Sequence, residues 1–227
     1  MFDQALVPLL LSLKVAGWAT LLALIAGVGF RYLLAPVRFF GREVLDAVLT
    51  LPMVMPPTVL GYYLLVLLGK RGVIGAWLQN TFGINLIFTW QGAVIAAALV
   101  AFPLVYKAAR AAFEDIDPNL EKAGRSLGFS ESKIFARITL PLAWNGILAG
   151  AMLAFARALG EFGATLMVAG SLPGRTQTLS IAIYEAVQAG EDNVANYLVV
   201  IASAICIAVL VVAGRVLQGG YRRAFKY

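Results

Sequence analysis

The stretch FARALGEFGATL, residues 155–166, sets Arg157 and Glu161 four residues apart inside an otherwise apolar run. On an insertion scale, a charge at the centre of a membrane helix costs about 2.5–3.5 kcal/mol. Four-residue spacing lets the two side chains share a helix face and partly neutralise each other. Two chemistries are open to such a pair. In the plain one it is an ion pair or interhelical hydrogen-bond set that fixes packing. In the sharper one Arg157 lines a path for an anion, while Glu161 holds the guanidinium and limits how tightly the anion is retained. Gly160 and Gly163 flank the pair and would let another helix approach closely, as expected at a subunit interface.

Pro52, Pro56 and Pro57 form a second constellation. Each removes a backbone donor, and its ring disturbs a carbonyl one turn back, so the helix carrying them should be kinked or opened. Freed carbonyls at membrane depth are tolerated only against protein or water. This face is therefore expected to point to the subunit interior or to a path, with a simple packing kink as the alternative. Carbonyls are poor partners for an anion, which favours gate geometry over binding. Phe102-Pro103 is a weaker kink by the same logic. The chain has no histidine, which removes bis-histidine haem ligation, histidine metal sites and histidine general bases. No G-x-x-x-x-G-K-[ST] phosphate loop occurs, and no His, Cys and acid cluster has metal spacing. Cys206 is a single cysteine and can form no intrachain disulfide.

The elements that must position these residues are membrane helices. Of 227 residues, 61% are hydrophobic and 13% charged, with mean hydropathy +0.84; a soluble domain of this length could not hide so much apolar surface. Runs long enough to cross the hydrocarbon core, about twenty residues each, lie near 6–30, 47–68, 88–109, 142–169 and 194–217. The first lacks a basic leader and a small-residue cleavage site, and is expected to be a retained span. Segments 31–46, 107–140 and 215–227 hold thirteen Lys and Arg, against Lys70, Arg71 and Arg175 in 69–87 and 170–193. This asymmetry predicts an N-terminus outside and a C-terminus in the cytoplasm. The net charge of +6 is that of cytoplasmic membrane edges and needs no nucleic acid. Segment 69–90, with Trp77, Phe82 and Trp90, is expected at the interface. Segment 176–192 carries Leu179, Ile183 and Val187 at four-residue spacing, too short to span, and is expected to be a re-entrant or interfacial half-helix. Lys14 could snorkel outward, and Lys70 and Arg71 could either attract an anion or anchor headgroups.

Residues 114–141, EDIDPNLEKAGRSLGFSESKIFARITLP, are punctuated as two short helices. Asp117 can cap the first and Pro118 suits its first position. Leu120, Ala123, Gly124 and Leu127 fall on one apolar face, and Gly128 stops the helix. Ser130 can cap a second helix carrying Ile134, Phe135 and Ile138, and Pro141 stands where the next span begins. Such a loop shows an apolar stripe to water; composition alone favours two helices lying in lipid headgroups.

This loop resembles the coupling motif of permease subunits of binding-protein-dependent ABC importers: a Glu-Ala-Ala run, a glycine, nine residues, then Ile-x-Leu-Pro. Here Gly128 is followed by nine residues and by Ile138, Thr139, Leu140 and Pro141, while the Glu-Ala-Ala positions read Lys122-Ala123-Gly124 with Glu121 one earlier. LPMVMPPTVLGYYLLVLLGKRGVIG (51–75) and AFARALGEFGAT (154–165) are similar to the permease subunit of molybdate ABC transporters. The resemblance implies an all-α integral membrane protein with about five transmembrane helices and the type I ABC importer permease fold, one domain over 1–227 with a cytoplasmic coupling loop at 110–141. It implies a multi-pass protein of a bacterial or archaeal cell (inner) membrane, working as a homodimer. The coupling helix would dock on a cytoplasmic ATPase present in two copies, which binds ATP and Mg; this chain itself would catalyse nothing and hold no cofactor. An external molybdate-binding protein would deliver the anion. Tungstate, or sulfate and thiosulfate, are the alternative substrates, and an anion channel not driven by ATP is the alternative class.

Overall fold

In the computed structural model, residues 2–34 and 41–224 are described, and among them all regular structure is helical. Residues 35–40 and 225–227, which carry Arg38 and Lys226 of the cytoplasmic charge count, lie outside the described residues. Helices α1 (Phe2–Leu34), α5 (Trp90–Glu114), α8 (Leu140–Leu159) and α11 (Asp192–Ala224) form the long elements. Between them come α2 (Arg42–Thr50), α3 (Pro57–Leu68), α4 (Val73–Phe82), α6 (Pro118–Ser126), α7 (Glu131–Ile134), α9 (Gly163–Ala169) and α10 (Leu179–Gln188). Among the described residues four single helical stretches are long and apolar enough to cross a membrane: Ala5–Phe30, Trp90–Glu114, Glu131–Leu159 and Asp192–Val212.

The second apolar run is two helices. Glu43–Met53 and Pro57–Leu68 meet at an angle of 105°. A short 3-10 turn over Leu51–Met53 carries Pro52 in its first turn, and Pro56 is extended at φ −56°, ψ 134°. Pro57 then opens α3, where its missing N–H has no helical partner to lose. A further expectation needs correction. The run 142–169 is not one helix, because α8 ends at Leu159 and α9 begins only at Gly163. Glu161 gives the physical reason: its Oε1 accepts the Ala164 N–H at 2.9 Å, and a side chain that binds nearby backbone offers the chain an alternative to continuing the helix.

At its other end the same span starts earlier than the apolar run. Residues Phe135–Thr139 form a π-helical turn joining α7 to α8, so the helix passes through Pro141. A π turn is one of the devices that accommodate a break in the i to i−4 ladder. Helix α5 likewise runs unbroken through the buried Pro103.

The core is made of small side chains. Ala16, Ala19 and Ala23 of α1 pack with Ala93, Ala97 and Ala101 of α5 and Ala154 and Ala158 of α8, all buried. Glycines let the backbones approach: a Cβ at Gly150 would stand 2.3 Å from Ala108 Cβ, and one at Gly27 3.0 Å from Val105 Cγ1. Membrane helices lack a hydrophobic drive to associate, so this close dispersion contact is what holds them. Helix α10 packs on α11 and α1, and its first N–H, at Leu179, donates to the buried Ser12 Oγ at 2.7 Å. Its buried face is Leu179, Ile181, Ala182 and Ala186, with Val187 exposed. Of the residues at four-residue spacing, Leu179 is buried, Ile183 half-buried and Val187 exposed.

Candidate functional site

Arg157 stands in the last turn of α8 and Glu161 two residues past its end. Arg157 Nη1 lies 2.8 Å from Glu161 Oε2; the Glu161 side chain is 1% exposed and that of Arg157 38%. Oε2 is engaged by this ion pair alone and makes no aligned hydrogen bond. The carboxylate therefore works in two directions, holding the guanidinium with one oxygen and the first turn of α9 with the other. A cation at the C-terminus of α8 complements the negative end of that helix. The half-exposed guanidinium keeps N–H donors free of Glu161, and a guanidinium with free donors is a planar anion-binding group.

The two broken spans meet at their breaks. A Cβ at Gly163 would stand 3.0 Å from Pro57 Cβ, and one at Gly61 2.6 Å from Met167 Cβ. Thus Pro57 and Gly163, 106 positions apart in sequence, are brought together, with Leu60 and Leu64 of α3 buried with Ala164 and Val168 of α9. Gly163 carries a close approach to a helix of its own chain. At Gly160 no other element of the described chain comes close: the nearest atom to a Cβ there is its own helix's Ala156 O at 3.9 Å. Its place is at the helix end, with φ −89° and ψ 10°. Pro52 is half-buried and Pro56 exposed.

The loop over 114–141 is a built unit. Asp117 Oδ1 accepts the Asn119 N–H at 2.9 Å and starts α6. At the other end Gly128, at φ +78°, donates to Arg125 O, and Phe129 N–H reaches Gly124 O. These two reversed bonds are a Schellman closure, for which a left-handed glycine is the usual residue. Gly124 is buried, and a Cβ there would stand 2.9 Å from Ile138 Cδ1. Thr139 Oγ1 donates to Glu121 Oε1 at 2.9 Å, and Arg125 binds Glu131 at 2.6 and 3.0 Å and Glu121 at 3.5 Å. The hydrogen bond to Glu131, with both carboxylates nearby, raises the Arg125 pKa further. Ser130 occupies the N-cap position of α7, but its hydroxyl makes no capping bond and pairs instead with Ser132 at 3.2 Å.

The expected four-residue face is accordingly divided. Gly124 packs inward on Ile134 and Ile138, while Leu120 (45% exposed), Leu127 (74%), Lys122 and Ala123 face out. Leu140 is half-buried and Pro141 exposed at the start of α8. One polar tie was not marked by any expected motif. Asp46 of α2 accepts Tyr106 OH at 2.6 Å and Arg110 Nη1 at 2.7 Å, and Arg110 also binds Glu114 at 3.0 Å, beside a cavity of about 350 Å³. Its sequence signal is the one-turn spacing of Tyr106, Arg110 and Glu114 on one face of α5. Among the described residues no group of three or more His, Cys, Asp or Glu is placed to hold a metal ion.

Interrupted membrane-length helices joined through a two-helix loop are the architecture of this chain. The chain matches the family described as "Binding-protein-dependent transport system inner membrane component" over residues 19–227, and it belongs to that family. It is similar to the molybdenum transport system permease protein ModB of Escherichia coli K12, with 46% identity over 204 residues, 89% of each chain. ModB of Haemophilus influenzae is 46% identical over 178 residues, 78% of each chain. Among solved structures, a bacterial ABC transporter involved in import of the acidic polysaccharide alginate superimposes with a TM-score of 0.75 at 14% identity, covering 95% of this chain and 79% of that one. The fold is that of the type I ABC importer permeases, a multi-pass membrane architecture.

Proposed function

We propose that this chain is the transmembrane subunit of an ATP-driven importer of molybdate in a bacterial or archaeal cell (inner) membrane. Two copies enclose a path on their two-fold axis, two cytoplasmic ATPase subunits with ATP and Mg grip the two loops, and an external binding protein delivers the anion. The observation that carries this reading is the exposed plate of Leu120, Ala123 and Leu127 on a loop helix bonded to the base of a span. An apolar patch held out by ion pairs fits a protein partner. The strong likeness to molybdenum permeases supports the substrate.

The geometry suggests how the parts work together. Movement of α6 by the ATPase is passed to the α7–α8 span through Glu121–Thr139, Arg125–Glu131 and the Gly124 contact. That span runs from Glu131 to Leu159 and ends at the Arg157–Glu161 pair, beside α9 and the proline break. The coupling set is Leu120, Glu121, Lys122, Ala123, Gly124, Leu127, Gly128, Ile138, Leu140 and Pro141. Pro52, Pro56, Pro57, Arg157, Gly160, Glu161 and Gly163 form the path wall or gate. ATP binding draws the loops together and opens the path outward; hydrolysis and product release return it inward. Reconstitution with the ATPase and binding protein tests this. Labelled molybdate should accumulate only with ATP, and unlabelled tungstate and sulfate should be compared as competitors. Accumulation of sulfate but not molybdate would reassign the substrate. Molybdate flux without ATP, from a chain that does not co-purify with an ATPase, would make it a channel.

A further inference from the structure

The fold brings together two cations that the sequence keeps 161 positions apart. Lys14 of α1 and Arg175, in the segment before α10, line one cavity of about 450 Å³ with Trp90, Gln91 and Thr176. Lys14 Nζ sits 3.7 Å from the centroid of the Trp90 ring, a cation–π contact that places the ammonium without neutralising it. No carboxylate lines this cavity. The acids of the same end, Glu185 and Glu191, line a neighbouring cavity of about 420 Å³ that shares only Gly174 with it. The charges are thus sorted, cations on one side and carboxylates on the other. The wall between Ile87 and Thr89 is held by Phe88, the only non-glycine residue of positive φ (59°) among the described residues. Such a conformation is uncommon for a bulky side chain and needs its surroundings to hold it. Here Phe88 N–H donates to Val168 O at 3.0 Å.

We infer that this cavity is a receiving site for a tetrahedral oxyanion group, with Lys14 and Arg175 supplying charge and the Gln91 amide a neutral donor. This rests on the oxyanion-import reading and gives it a first station on the outer side, away from the Arg157 pair. The volume exceeds that of a bare oxyanion, so the anion is held with part of its hydration shell. A hydrated ion between two exposed cations binds weakly and leaves easily, as a first station requires. The same chemistry would accept a free dianion or the phosphate of a lipid headgroup, and the test separates these sources.

Trp90 reports on the site. In the permease–ATPase complex, Trp18, Trp77 and Trp144 are replaced by Phe, and the signal of a matched Trp90→Phe complex is subtracted. Molybdate, tungstate and sulfate are titrated in a phosphate-free maltoside detergent and again in phospholipid nanodiscs. The expected result is a saturable emission change in both media, weakened by added NaCl. Lys14→Gln and Arg175→Gln should each weaken apparent affinity about tenfold, with recovery in Lys14→Arg and Arg175→Lys. Saturation in detergent that disappears in nanodiscs assigns the site to headgroup phosphate. A response that never saturates, or equal affinity in both Gln variants and the parent, overturns the site. ATP-driven molybdate uptake by the unmodified complex keeps the two claims apart. Uptake with a flat titration removes only the receiving site, whereas a saturable titration without uptake removes the transport reading.

Discussion

The Glu161 carboxylate, with 1% of its side chain exposed, is held by Arg157 Nη1 at 2.8 Å and the Ala164 amide at 2.9 Å. Removing one partner of a buried pair typically costs about 3–5 kcal/mol, because the other charge is left unpaired; Arg157 is 38% exposed, so the lower end applies here. Arg157→Gln is therefore expected to reduce the yield of assembled transporter in size-exclusion chromatography. Arg157→Gln with Glu161→Gln removes the orphan charge and should restore assembly. If Arg157 lines the path, uptake by that assembled double variant stays well below the parent; full uptake would reduce the pair to packing. This pair was legible in the sequence because charges in an apolar run have few uses. Ser12 was not. A hydroxyl in a span defaults to its own helix, as Thr20 does with Ala16 O at 2.7 Å, and only tertiary placement turns Ser12 toward α10.

At the scale of elements, the proline cluster announced its break, since three missing donors and fixed φ angles leave little room for a continuous helix. The 105° bend is the outcome. The break at Gly160 was hidden, because one glycine inside a helix costs only about 1 kcal/mol relative to alanine and the deciding contact, Glu161 to Ala164, is made by a residue read as helical. The loop's start and stop were legible in Asp117 and Gly128, while the inward turn of Gly124 depended on Ile138 fourteen positions later. Gly128 gives the element-scale prediction. Its φ of +78° disfavours any residue with a Cβ by roughly 1–2 kcal/mol, yet the space around it is open. Gly128→Arg should leave the protein in the membrane while fraying α6 and placing a charge beside Leu127. Transport-stimulated ATPase activity is expected to fall severalfold or more; undiminished uptake and stimulation would show that the helix end is not a docking surface.

For the whole molecule, class and span count followed from apolar runs that no soluble chain could hide. The arrangement did not, because the α1, α5 and α8 interface is written in alanine and glycine, which carry little periodic signal. The Asp46 tie has a molecule-wide role, since it joins the first half of the bent span to the long helix α5. Its ion pair is partly exposed, with side chains 38% and 29% accessible, so Asp46→Ala should cost no more than about 1 kcal/mol in detergent melting. Uptake per ATP hydrolysed should nevertheless drop, as α2 no longer follows α5. Unchanged coupling would leave the tie a surface ornament. The meeting of the two interrupted helices also bears on how such a chain can change over generations. Adding or deleting one residue early in α3 or α9 would rotate the rest of that helix by about 100° around its axis. Gly61 would then lose its register with Met167. Descendants with altered anion preference should therefore differ by substitution around these breaks, with insertions and deletions confined to the loops elsewhere.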